Sequence, residues 1–69
     1  SGALAALREA VETATTVVIT YVDNHGTRSD RVVEPVRVEG GQLVARDRRA
    51  DDTRAYAVHR ILDVRPAES

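Results

Sequence analysis

The chain has 69 residues, ten of them Arg with no Lys, against eleven acidic residues for a net charge of −1; it contains no Cys, Met, Trp or Phe. A length like this allows one domain, which buries only about 60% of the surface its unfolded chain exposes, so a deep internal pocket is not expected. Disulfides, thiol chemistry, thiolate metal sites and iron–sulfur clusters are excluded, and the charge balance gives the chain as a whole no pull toward nucleic acid or anionic lipid.

No apolar run approaches the roughly 20 residues that span a bilayer, and the start lacks the charged and apolar regions of a signal peptide. The expectation is a soluble, cytoplasmic domain with no membrane partner. Ser1-Gly2 reads as a cloning remnant, and the short length suggests a single domain over residues 1–69 taken from a larger protein.

ALAALREAVETA, residues 3–14, places Leu4, Leu7 and Val11 at helical spacing, with Arg8, Glu9 and Glu12 elsewhere. That predicts a short amphipathic helix, marginal alone and therefore docked on something. From Thr15 the composition turns β-branched, and Val17, Ile19 and Tyr21 alternate with Val18, Thr20 and Val22 in a first strand. Asp23-Asn24-His25-Gly26 supplies a hairpin turn, and SDRVVEPVRVE returns as a second strand in which Pro35 implies a bulge, bend or edge. Gly40-Gly41 signals the next hairpin, leading into a third strand over 42–46. DRRADDT, residues 47–53, is dense in charge and reads as a surface loop. Arg54 to Val58 forms a fourth strand, His59-Arg60 interrupts it, and Ile61 to Val64 forms a fifth. One helix and five short strands predict a mainly β domain, a five-stranded antiparallel barrel, partly closed, with the helix capping one end.

VVITYVD with HG, RVVEP, the glycine hairpin, LVARD, RAY and HRI together resemble the WYL domain, a small barrel of the Sm-like or SH3-like kind. Within that family, YVDNHG, RVVEPVRVEGG and YAVHRI are similar to the C-terminal WYL-type domain of actinobacterial proteins that carry an XPB-type helicase region. Where the naming Trp-Tyr-Leu triplet would fall, this chain has Gly41-Gln42-Leu43, so only the leucine is kept. The resemblance implies a regulatory, ligand-sensing module that binds single-stranded DNA or RNA or a nucleotide-like ligand and is attached to a helicase or DNA-binding domain. It also implies the site positions Tyr21, Arg31, Arg54, Tyr56 and Arg60, with His59 in the same final motif.

Each position also has a plain structural reading. Arg54 and Tyr56 share a strand face and suit a phosphate clamp with a stacking ring; equally, Tyr56 is core and Arg54 lies along the barrel rim. Arg60 marks the place of a 3₁₀ turn, where it either points toward Arg54 or donates to carbonyls left unpaired. Histidine is a common switch residue, but for His59 a packed, hydrogen-bonded role is expected. Arg31 is a ligand candidate or a partner for its neighbour Asp30. Arg46, Arg48 and Arg49 flank Asp47 in a run that compensates itself or touches phosphate nonspecifically. From Arg31 to Arg60, seven Arg face five acids; all-Arg usage suits phosphate and also follows from GC-rich codon choice. His25, His59 and Asp23 lack metal-site spacing, and no catalytic triad or phosphate-cradling loop occurs, so no enzyme, metal or cofactor is expected. The alternative function is a protein-interaction or homodimerisation module, using the Pro35 strand or the fifth strand as a sheet edge.

Overall fold

The computed structural model describes residues 2–67. In chain order it forms α1 (Gly2–Thr13), β1 (Val17–Val22), β2 (Arg28–Glu39), β3 (Gln42–Asp47), β4 (Asp52–Ala57), a 3₁₀ turn (Val58–Arg60) and β5 (Ile61–Pro66). The strands make one antiparallel sheet in the order β4-β3-β2-β1-β5, so the expected five-stranded architecture is present, with the ladder left open between β4 and β5. No helix among the described residues is long and apolar enough to cross a membrane.

α1 ends in a tight cap. Ala14 takes a left-handed backbone angle (φ 55°), the Ala14 amide donates to the Val11 carbonyl, and the Thr15 amide reaches the Ala10 carbonyl at 2.9 Å. These are the bonds of a Schellman motif, which turns the chain out of the helix and into β1. The helix lies on β2 and β5 and buries Leu7 and Ala10. Its buried stripe is therefore rotated from the Leu4-Leu7-Val11 line, because Ala10 permits close approach to the sheet while Leu4 remains 37% exposed.

The glycine hairpin is a two-residue turn with both φ angles positive, 58° at Gly40 and 74° at Gly41, and Glu39 pairs with Gln42 across it. Such angles cost glycine little and other residues more, which is why this pair sets the β2–β3 register. Pro35 coincides with a register shift between Pro35 and Arg37, a bulge that absorbs its missing N–H donor. The strand carrying it is not an edge: β2 lies between β1 and β3, and the two edges are β4 and β5. The core gathers Leu7, Ala10, Val17, Ile19, Val33, Leu43, Ala45, Tyr56 and Ile61.

Candidate functional site

Residues paired across neighbouring strands share a sheet face. Leu43 lies opposite Tyr56, Ala45 opposite Arg54, and Asp47 opposite both Asp52 of β4 and Val33 of β2. Two residues before Val33 comes Arg31, opposite Ile19 of β1, and Tyr21 follows Ile19 on the same face. Tyr21, Arg31, Arg54 and Tyr56 thus all belong to the inner face, brought there from three strands.

Asp47 organises them. It closes β3 rather than opening a loop, and it is 1% exposed. Its Oδ1 accepts the main-chain amides of Arg49 at 3.0 Å and Ala50 at 3.2 Å. Its Oδ2 accepts the Tyr56 hydroxyl at 3.1 Å and Arg31 Nη1 at 3.2 Å. Burial alone would raise this carboxyl; the four donors outweigh it and hold Asp47 below the usual carboxylate range. A buried charge persists only when paired and hydrogen-bonded in this way. The same contact works on the phenol. Burial, then the negative charge of Asp47, push Tyr56 from 10.0 up to about 12. The Tyr56 ring meets Tyr21 edge to face, with centroids 5.2 Å apart and planes at 78°, a favourable aromatic geometry.

Asp47 escapes motif reading because it stands in a charged run. Its phase carries the signal: Leu43, Ala45 and Asp47 alternate, so position 47 falls on the core face. The DRRA that follows offers amides two and three residues on, the usual targets of an Asp side chain at a turn. Arg31 turns inward to Asp47, not to its neighbour Asp30, since adjacent strand residues point to opposite faces; Asp30 instead accepts Thr20 Oγ1 and Arg65 Nη2, both at 2.9 Å.

Arg54 stays 45% exposed at the rim, its Nε 3.9 Å from Asp52. Arg60 reaches back to the β1–β2 turn, where Nη1 donates to the Asp23 carbonyl at 3.0 Å and pins the 3₁₀ turn to that hairpin. Within the hairpin, the Asp23 side chain accepts the amides of His25 and Thr27 and is lowered by them. His59 lies exposed on the 3₁₀ turn instead of being packed, because a turn this short leaves none of its residues buried. Beside Asp47, a surface cavity of about 250 Å³ is lined by Ser29, Asp30, Arg31, Val32, Asp47 and Arg49. Among the described residues, no group of three His, Cys, Asp or Glu is arranged to hold a metal ion.

A family model for the WYL domain matches residues 2–66. The chain belongs to the WYL domain family. Among solved structures, it is similar to proteasome accessory factor B/C (PafBC) of Arthrobacter aurescens, with a TM-score of 0.84 at 18% sequence identity. That likeness covers 99% of this chain and 11% of the other, so this WYL domain spans about a tenth of that protein's length and shares its fold there. No curated protein matches the chain. WYL domains are regulatory and noncatalytic, and the inner-face cluster around Asp47 is the part of this one in which charged and aromatic side chains converge.

Proposed function

We propose that this WYL domain is a sensor for single-stranded nucleic acid or a nucleotide-like ligand, received where Arg31 of β2 and Arg54 of β4 flank the buried Tyr56–Asp47 pair. The observation that carries the reading is this bracketing of an aromatic residue by two arginines on one sheet face, an arrangement suited to a phosphodiester, with the Tyr56 ring itself, 4% exposed, left to core packing. Tyr21 meets the Tyr56 ring edge to face and helps to fix it. Arg60 and His59, on the 3₁₀ turn that follows β4, are proposed as further ligand contacts, and the attached helicase or DNA-binding domain receives the signal. Affinity of the isolated domain is weak, since few phosphates are neutralised.

The test is single-strand oligonucleotide binding by fluorescence anisotropy at two salt concentrations, for the wild type, Arg54→Ala and the pair Arg54→Ala with Arg60→Ala. Loss of one phosphate contact lowers the salt slope by about 0.7. Equal affinities across the three proteins overturn the reading. A melt of each protein accompanies the measurement, because Arg60 also holds the Asp23 carbonyl.

A second reading, dimerisation, is favoured by Leu62, which is 52% exposed on edge strand β5. Light scattering decides it: a dimer mass that Leu62→Arg reduces to monomer supports pairing through this edge, and a monomer at all concentrations removes it.

A further inference from the structure

We infer that the cavity between Ser29–Val32 of β2 and the β3–β4 turn is a receptor for one phosphate group, held by Arg49, Arg31 and Ser29. This rests on the sensor function proposed for the inner face and names where the ligand's phosphate sits.

Hydrogen-bonding capacity, more than net charge, singles out this cavity. The buried carboxylate that lines it is already occupied. Asp47 accepts four donors, and Asp30 accepts Thr20 and Arg65. The donors are not used up. Among the described residues, Arg49 has no carboxylate within ion-pair distance, as is also true of Arg8, Arg28 and Arg60 outside the cavity, whereas Arg31, Arg37, Arg46, Arg48, Arg54 and Arg65 each have at least one. Arg31 spends Nη1 on Asp47 and directs Nε at Ser29 Oγ, 3.4 Å away, so its other terminal nitrogen and the Ser29 hydroxyl proton remain for a ligand. A guest entering here meets two guanidinium groups and a hydroxyl with protons to donate, while the four acceptor sites of Asp47 are filled. An oxyanion with several acceptor oxygens fits the donors of that lining.

Size restricts the guest further. At about 250 Å³ the cavity falls below the range of sites that enclose a whole drug-sized ligand, so it takes one group of a larger molecule. The lining is balanced in formal charge, Arg31 and Arg49 against Asp30 and Asp47, so directed hydrogen bonds select the ligand in place of long-range attraction. Binding at this cavity accordingly falls less steeply with salt than binding dominated by phosphate-backbone neutralisation.

The experiment is an amide NMR titration of the domain with inorganic phosphate against sodium chloride at equal ionic strength. Saturable shifts are expected at Ser29, Arg31, Arg49 and Ala50. Arg49→Ala retains the main-chain amide that Asp47 needs, so the fold survives, and it weakens phosphate about tenfold. Arg8→Ala, on the helix, leaves phosphate binding unchanged. Two oligonucleotides, with and without a 5′-phosphate, then separate the sources: preference for the phosphorylated one, abolished by Arg49→Ala, assigns a terminal phosphate. Equal binding of both, weakened in both by Arg49→Ala, assigns the backbone. Shifts that are absent, or unchanged in Arg49→Ala, overturn the cavity assignment. If oligonucleotide binding still depends on Arg54 in that event, the sensor reading stands without it; an Arg49-dependent phosphate site with no Arg54 dependence is the reverse outcome.

Discussion

Asp47 and Asp30 are built from the same parts on opposite faces of one sheet. Each carboxylate accepts an arginine and a hydroxyl supplied by other strands: Arg31 and Tyr56 for Asp47, Arg65 and Thr20 for Asp30. Arg65 is shared with Asp63 at 2.9 Å, so the outer network joins β1, β2 and β5 as the inner one joins β2, β3 and β4. Both aspartates are lowered, Asp30 by the Thr20 hydroxyl and then Arg65. What separates them is water. Around Asp30, solvent replaces any donor that leaves; around Asp47, which also holds two turn amides, nothing does. Identical chemistry is thus an interchangeable surface contact on one face and an obligatory fastening on the other.

The strongest way to break the comparison is Asp47→Ala. It strands the Arg49 and Ala50 amides, the Tyr56 hydroxyl and the Arg31 charge at once, with an expected loss of about 3 kcal/mol. For a domain this small that lowers the thermal midpoint by roughly 15 °C in a calorimetric scan. Next comes acid. Asp47 has a folded-state value below its unfolded one, so its contribution is complete above about pH 4 and is lost as pH falls through the folded value. Urea midpoints measured down this range should fall steeply for the wild type and less so for Asp47→Asn; a residual slope remains because Asp23 and Asp30 are lowered too.

Tyr56→Phe tests a single donor and should cost about 1–2 kcal/mol by urea denaturation. It should also change the basic arm. Tyr56 titrates higher folded than unfolded, so its contribution is present below pH 10 and disappears as pH rises toward about 12; the phenylalanine variant loses that decline. The smallest effect is expected for Asp30→Ala, whose urea midpoint should stay close to the wild-type value and far from that of Asp47→Ala. Equal losses at the two aspartates would refute the distinction between the wet and the dry face.

The parts of the fold legible from sequence are those written locally. Val17, Ile19 and Tyr21 announce β1 by alternation, Gly40-Gly41 specifies its own turn, and Pro35 marks the bulge that relieves it. Sheet order is not local, so Pro35 suggests an edge for a strand that in fact pairs on both sides. The site divides the same way. Tyr56 is recognisable as a residue of the inner face from its period. Asp47, in contrast, gains its meaning from Arg31, sixteen residues earlier, and from Tyr56, nine later. Nothing within the run DRRADDT distinguishes it from Asp51 or Asp52 except the phase inherited from Leu43 and Ala45. Arg60 likewise finds its acceptor thirty-seven residues away, on a carbonyl that carries no side-chain signature.

The edge-to-face tyrosine pair spans β1 and β4, strands that are not neighbours in the ladder. Since the chain has only two Tyr and neither Trp nor Phe, every near-ultraviolet chromophore in the domain resides in that one contact. Its circular dichroism and emission therefore report whether β1 and β4 stay packed across the inner face, and the wild-type protein carries its own optical gauge.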